Sequence, residues 1–419
     1  MPRLTGAIPS WKRYVNSKAS KGTEGSHKKK TKGRRIKLTR CGEGFTVNGK
    51  TICERNFDTE KKRTLNYSIL MDIGHEYCNM CCKYCCCHPK PKDANLKDYF
   101  KMDQEKMVEL IRATDIKRGC PDAKHSFEIW GGEPLFNFDA FVETYDTLDG
   151  AFPGSTFWTS TNGILLGDDH ICDVLVANNI RIQLSHDGLG QKLRGVDPLK
   201  DSHTLENVRS LVDMGILTTV NCTLSQVNPS WLDNIEYWKG IFGKNTDRLR
   251  IKLNHPYDSD YAFEFAFTDE EKTSKYLKEF LTLYWNCWHD KSFLPAFRGY
   301  ILEQGDRFTK VKVEENKAAC RAYQSWKYGV EGNFQRDWNF VIMTSGSYGE
   351  CNLAPKVDNP GGIQPDYCRD CKYREYSECQ HCGAMKYPRQ CFYQKRWMET
   401  LETIWRTKQC LDHSASRKK

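Results

Sequence analysis

The chain has 419 residues, of which 39% are hydrophobic, 12% aromatic and 28% charged, a balance that excludes a disordered polymer and permits a sizeable core. No apolar run approaches the ~20 residues a membrane span needs, and no secretory-type apolar stretch opens the chain. The expected setting is therefore the cytoplasm, or a host's cytoplasm if a phage encodes the protein, with no membrane partner and with the 20 cysteines as thiols or thiolates rather than disulfides.

The net charge of +9 is unevenly spread, because KKKTKGRRIK (Lys28 to Lys37) follows a Gly/Ser/Lys-rich lead without hydrophobic periodicity. Residues 1–64 are expected as a basic, mobile segment, able to find phosphate backbones by counterion release; a merely solubilising terminus is the bland alternative. Short β-rich runs then alternate with longer helical ones, the pattern of βα units and a parallel sheet. The expected strands are SILMDI (Ser68 to Ile73), SFEIW (Ser126 to Trp130), TFWTS (Thr156 to Ser160), IRIQLS (Ile180 to Ser185), LTTVNCTL (Leu217 to Leu224) and RLRIKL (Arg248 to Leu253). Six strands predict an α/β fold with an incomplete barrel over residues 65–260. Between the first two strands, Met107, Val108, Leu110 and Ile111 form an apolar helical stripe with Gly119 as its stop. Glu270 to Trp288 predicts an amphipathic helix in a linker over 261–319, and residues 320–419 form a small cysteine-rich module with a C-terminal helix.

In such barrels the reactive groups lie on the loops after the strands. After the first comes YCNMCCKYCCCH, with six cysteines from Cys78 to Cys87; after the second GGEP (Gly131 to Pro134); after the third TNG (Thr161 to Gly163); at the end of the fourth SHDG (Ser185 to Gly188). Cys78, Cys82 and Cys85 follow CxxxCxxC, with Tyr84 directly before the last. Three thiolates on an iron-sulfur cube leave one iron without a protein ligand, whereas an electron-transfer cluster normally takes four. Cys81, Cys86 and Cys87 fall outside this register, and Cys120, Cys172, Cys222 and Cys287 read as small packing residues.

These residues resemble the radical S-adenosylmethionine superfamily, with its partial (β/α)6 barrel and CxxxCxΦC loop, Φ being aromatic. The resemblance implies a 4Fe-4S cluster on Cys78, Cys82 and Cys85 and S-adenosylmethionine on the open iron, cleaved by one electron to a 5′-deoxyadenosyl radical that abstracts hydrogen. It places Tyr84 beside the cofactor. Gly131 and Gly132 would allow close backbone approach, Glu133 would accept from the cofactor ammonium, and Asn162, Ser185 and Asn221 would meet its ribose or carboxylate. Taken singly, each of these is also an ordinary turn or cap residue. His186 stands where family members often carry an aliphatic residue and is given no catalytic role. No paired carboxylates suggest a general base, so the catalytic residues stay unassigned.

Further on the chain reads GSYGEC (Gly346 to Cys351) and YCRDCKYREYSECQHCGAMKYPRQC (Tyr367 to Cys391). With Cys320 the order resembles the SPASM extension, which implies one or two auxiliary 4Fe-4S clusters: Cys368, Cys371, Cys379 and Cys391 on one, Cys320, Cys351 and Cys382 on the other. The second lacks an evident fourth cysteine. All-thiolate sites suit zinc as well, so a zinc-containing nucleic-acid-binding protein is the non-enzymatic alternative. The implied partners are a reductant such as flavodoxin or ferredoxin and a macromolecular substrate. The basic lead favours nucleic acid, namely a nucleobase in DNA already carrying an adduct and rearranged in isomerase fashion, as in phage thymidine hypermodification. A peptide or protein substrate, crosslinked or oxidised, is the alternative.

Overall fold

The computed structural model describes residues 38–41, 44–47, 50–53, 64–71, 78–85, 104–117, 119–254, 265–306, 340–343, 348–349 and 391–416. The chain divides into two compact units, Met1–Lys61 and Lys62–Lys419. In the first, the segment read from sequence as a basic lead carries a three-stranded antiparallel meander: β1 (Leu38–Cys41), β2 (Gly44–Val47) and β3 (Lys50–Cys53). Val47 pairs with Lys50, so only Asn48 and Gly49 separate β2 from β3, and Asn-Gly is the favoured pair for a two-residue hairpin.

The second unit is built on β4 (Thr64–Met71), β5 (Lys124–Gly131), β6 (Thr156–Thr161), β7 (Arg181–Ser185), β8 (Leu217–Thr223) and β9 (Arg250–Asn254). Each pairs in parallel with the next, in chain order, and the sheet does not close. All six expected strands are present, with β4 starting four residues before the SILMDI run and its described part ending at Met71. The crossovers carry α1 (Gln104–Lys117), α2 (Phe138–Ala151), α3 (Asp169–Ala177), α4 (Ser202–Asp213) and α5 (Trp231–Phe242). Side chains at the N-caps start four of these helices: Asn137 accepts from Ala140 N, Asp168 from His170 N, Asp201 from Thr204 N and Ser230 from Asp233 N.

Alternation along the strands sorts the two faces of the sheet. Phe127, Ile129, Ile182, Leu184 and Ile251 are fully buried under the helices, each such side chain contributing about 1.5–3 kcal/mol. Glu128, Ser160, Gln183, Asn221 and Lys252 point the other way and are half-buried. Cys172, Cys222 and Cys287 are buried thiols, as expected of packing residues.

Residues 261–319, expected as a linker, contain α6 (Glu270–His289) and α7 (Pro295–Gly305). Their Tyr276, Phe280, Phe297 and Ile301 join the same core as the sheet. The C-terminal helix α8 (Cys391–Ser416) packs on α6 through Trp397, whose ring centroid lies 4.7 Å from that of Phe280. A hairpin not foreseen in the sequence, β10 (Phe340–Met343) and β11 (Tyr348–Gly349), extends the sheet beyond β4, with β10 parallel to it. Among the described residues, no helix is long and apolar enough to cross a membrane.

Candidate functional site

The strand ends gather three of the four sequence signatures around one buried carboxylate. Glu133, 2% exposed, follows β5 and reaches across to the end of β6. Its Oε1 accepts from Thr161 Oγ1 at 2.8 Å and Leu135 N at 3.2 Å, and its Oε2 accepts from Asn162 N at 2.7 Å. Burial pushes its carboxyl up to about 7, although all three donors and Arg194 pull the other way. Asn162 passes the connection on, its Nδ2 donating to Asn79 Oδ1 at 2.7 Å and lying 3.7 Å from Cys78 Sγ, while its Oδ1 accepts from Ile164 N at 3.0 Å. Gly163 takes φ +86° at this turn, a conformation that disfavours side chains.

The cysteine loop has a second anchor at the end of β7. Lys83 N donates to Leu193 O at 2.8 Å, and the Tyr84 hydroxyl donates to Asp187 Oδ2. Arg194 Nη1 donates to Tyr84 Oη at 3.2 Å and lies 3.8 Å from Asp187 Oδ1. Asp187 is fully buried, and its Oδ1 also accepts from Thr223 N at 2.9 Å. Burial works against the Arg194 charge, but the hydrogen bond to the Tyr84 oxygen and the nearby Asp187 favour it. Burial, then Asp187, raises the Tyr84 hydroxyl well above the ordinary phenol range, so Tyr84 serves as a neutral donor. Within the loop Cys85 N donates to Cys82 O at 3.1 Å, and the Cys82 thiol lies within electrostatic range of Cys85 and Cys78. Burial pushes that thiol up to about 11 although Arg194 pulls the other way, so a metal ligand role would need the metal's own charge to ionise it.

Residues 73–236 match the family model described as Radical SAM superfamily. They form a radical SAM domain. GTP 3',8-cyclase of Parasynechococcus marenigrum (strain WH8102) is 31% identical over 119 residues, which are 27% of this chain and 31% of that protein; the match thus spans about a third of that relative. The fold is similar to that of native anSMEcpe with bound AdoMet (TM-score 0.55, 15% identity, 82% of this chain and 100% of that chain). It is similar too to native anSMEcpe with bound AdoMet and Cp18Cys peptide (TM-score 0.53, 15% identity, 83% of this chain and 99% of that one).

A radical SAM domain implies a 4Fe-4S cluster and S-adenosylmethionine, and two buried polar atoms are left for a ligand to satisfy. Arg194 Nε and Asn221 Oδ1 are buried without a hydrogen-bond partner among the described residues, a donor suited to an anion and an acceptor suited to a hydroxyl. Among the described residues, no three His, Cys, Asp or Glu side chains converge as they would around one metal ion.

Of the residues expected from sequence, Cys78, Cys82, Tyr84, Glu133 and Asn162 meet at the rim of the radical SAM domain, together with Cys85. Ser185 stands opposite Asn221 on neighbouring strands, and Gly131 closes β5 with Gly132 just beyond. The polar atoms of Glu133 and Tyr84 also have protein partners, through which both brace the loops. His186 is buried, with Gly188 N donating to its Nδ1 and its Nε2 at 2.9 Å from Asp197 Oδ1, an arrangement that fixes the neutral Nε2–H tautomer. Cys391 opens α8, while Cys320, Cys351, Cys368, Cys371, Cys379 and Cys382 lie outside the described residues, as do Cys86 and Cys87. Sequence reasoning missed Asp187 and Arg194. Asp187 lay inside the quoted SHDG stretch, but nothing in the spacing marked the arginine seven residues on.

Proposed function

We propose that the protein is a radical SAM enzyme that carries its cluster on Cys78, Cys82 and Cys85 and modifies a group borne on a macromolecule. The cluster and S-adenosylmethionine, when bound, supply reductive carbon–sulfur cleavage and a radical that abstracts hydrogen. The chain's own part is to bind and orient. Asn162 and Tyr84 fix the cysteine loop from two sides, Glu133 braces the end of β6, Arg194 Nε offers a donor to the anionic end of the cofactor, and Asn221 with Ser185 offers acceptors to its ribose. The observation that supports this reading most is the pair of buried clasps, Asn162 to Asn79 and Tyr84 to Asp187, which join the cysteine loop to the ends of β6 and β7.

The substrate proposed first is a nucleobase in nucleic acid, already modified and rearranged in place, on the strength of the basic lead and the net charge of +9. The second reading is a peptide or protein substrate, favoured by the likeness to anSMEcpe, one of whose structures holds a Cp18Cys peptide. The C-terminal cysteines are proposed to hold one or two auxiliary 4Fe-4S clusters in a SPASM-like module. The test is anaerobic reconstitution followed by reduction: 5′-deoxyadenosine should form from S-adenosylmethionine, and deuterium from a labelled DNA or peptide should enter it. A reconstituted, reduced protein that forms none refutes the reading. About four irons per chain, one cube's worth, would remove the auxiliary clusters.

A further inference from the structure

The inner face of the sheet carries a line of polar side chains that the cofactor roles leave unused. Glu128 Oε2 accepts from Ser68 Oγ at 3.2 Å, and its Oε1 accepts from Ser160 Oγ at 3.3 Å. Ser160 Oγ accepts in turn from Gln183 Nε2 at 2.9 Å, and Gln183 Oε1 accepts from Lys252 Nζ at 3.2 Å. Side chains from β9, β7, β6 and β5 thus make one directed line from the Lys252 cation to the Glu128 carboxylate, which Ser68 of β4 meets from the far side. Only one of the three Lys252 N–H donors is used along it.

Such a line is poor packing material. Burial pushes the Glu128 carboxyl up to about 7, and burial, then Arg250, lowers Lys252, whereas an apolar filling of the same volume would carry no such penalty. Next to Glu128 in register stands Trp158, half-buried on the same face. The strand direction puts this layer just below the loops, since Ser160 is two residues from Asn162 and Glu128 three from Gly131.

We propose that this inner face is the substrate subsite and that it reads a nucleobase: the ring lies against Trp158, N–H groups of the base edge donate to Glu128, and an acceptor elsewhere on the nucleotide takes a hydrogen bond from Lys252. The inference rests on the radical SAM reading above and narrows its substrate class. N–H donors on a base edge match a carboxylate, an ammonium two side chains away on the same surface suits an acceptor farther along the nucleotide, and a flat π-face suits an indole. A peptide bond offers a donor and an acceptor but no ring for Trp158 to meet.

The test is equilibrium dialysis of the reconstituted full chain, with S-adenosylmethionine present, against the 5′-monophosphates of adenosine, guanosine, cytidine and thymidine, with a Cys-containing 18-residue peptide as the competing probe. At least one nucleotide should bind, and Glu128→Gln, which keeps the shape but reverses half of the hydrogen bonding, should weaken it by roughly tenfold or more. Lys252→Met, which keeps the stem, should weaken the same nucleotide. Binding of no nucleotide by the wild type, binding of the peptide alone, or unchanged affinity in both variants overturns the subsite. A wild type that forms 5′-deoxyadenosine but binds no nucleotide fails this inference alone, whereas one that forms none fails the radical SAM reading.

Discussion

Replacing Glu133 by glutamine separates the cost of burying its charge from the value of its hydrogen bonds. The carboxyl is raised from its ordinary 4.5 to about 7, chiefly by burial, and each unit is worth about 1.4 kcal/mol. Below pH 4.5 the group is protonated in both states and costs nothing. Between 4.5 and about 7 the unfolded chain gives up its proton while the folded chain keeps it, so stability falls as pH rises, by about 3 kcal/mol in full; above 7 the penalty is constant. Glutamine has no such slope. It does put an NH2 group where Thr161, Leu135 or Asn162 now donates, a loss of about 1–3 kcal/mol at every pH. Glu133→Gln should therefore be clearly destabilising at pH 5 and less so at pH 8, with the gap closing by about 2–3 kcal/mol. Urea midpoints of the two full-length proteins at matched iron content measure this directly, and Glu128, raised in the same way, titrates in both and cancels. A gap that stays constant or widens toward pH 8 would refute the reasoning, because it would mean that the three donors outweigh burial.

Three further substitutions test the loop. Cys82→Ala should abolish both bound iron at the radical SAM site and 5′-deoxyadenosine formation, whereas Cys81→Ala, at an exposed position in the same loop, should leave both largely intact; equal loss in the two would show that the wrong register carries the cluster. Arg194→Met should leave the buried Asp187 without its guanidinium, lowering stability by about 3 kcal/mol, and should weaken S-adenosylmethionine binding measured by dialysis, and a urea midpoint near wild type would refute the proposed clasp.

The strands were legible because their signal is local. SFEIW and IRIQLS alternate so that Phe127, Ile129, Ile182 and Leu184 lie under the helices while Glu128 and Gln183 face inward, and TFWTS keeps the period with Phe157 and Thr159 under the helices and Trp158 and Ser160 inward. The rim residues were legible for a different reason: Cys78, Cys82, Cys85, Glu133 and Asn162 all sit in the segments that follow strands, where a parallel barrel places its loops. What could not be read were pairings between segments far apart in the chain. Nothing near Tyr84 announces that its hydroxyl meets Asp187, 103 residues on. The strand β10 was hidden for the same reason, because FVIM (Phe340–Met343) is a short apolar run whose parallel partner β4 lies far back in the chain. The meander β1–β3 was missed because the charge of residues 28–37 dominated the reading of everything before the barrel.

The clasps also bear on how the cysteine loop keeps its shape. Its anchors fall on the residues between the cysteines: Asn79 accepts from Asn162, Lys83 donates to Leu193 through its backbone, and Tyr84 reaches Asp187. A loop held this way has its shape set by protein contacts, so ordering it does not draw on the free energy of cluster binding. The arrangement carries a cost, since Asp187, Arg194 and Glu133 are all charges taken out of water at the strand ends. Apolar residues of similar volume would hold the loop with less penalty. Buried charge concentrated at this rim, while Phe127, Ile129, Leu184 and Trp238 supply the stabilising burial elsewhere, is the distribution expected where local consistency has yielded to a binding site.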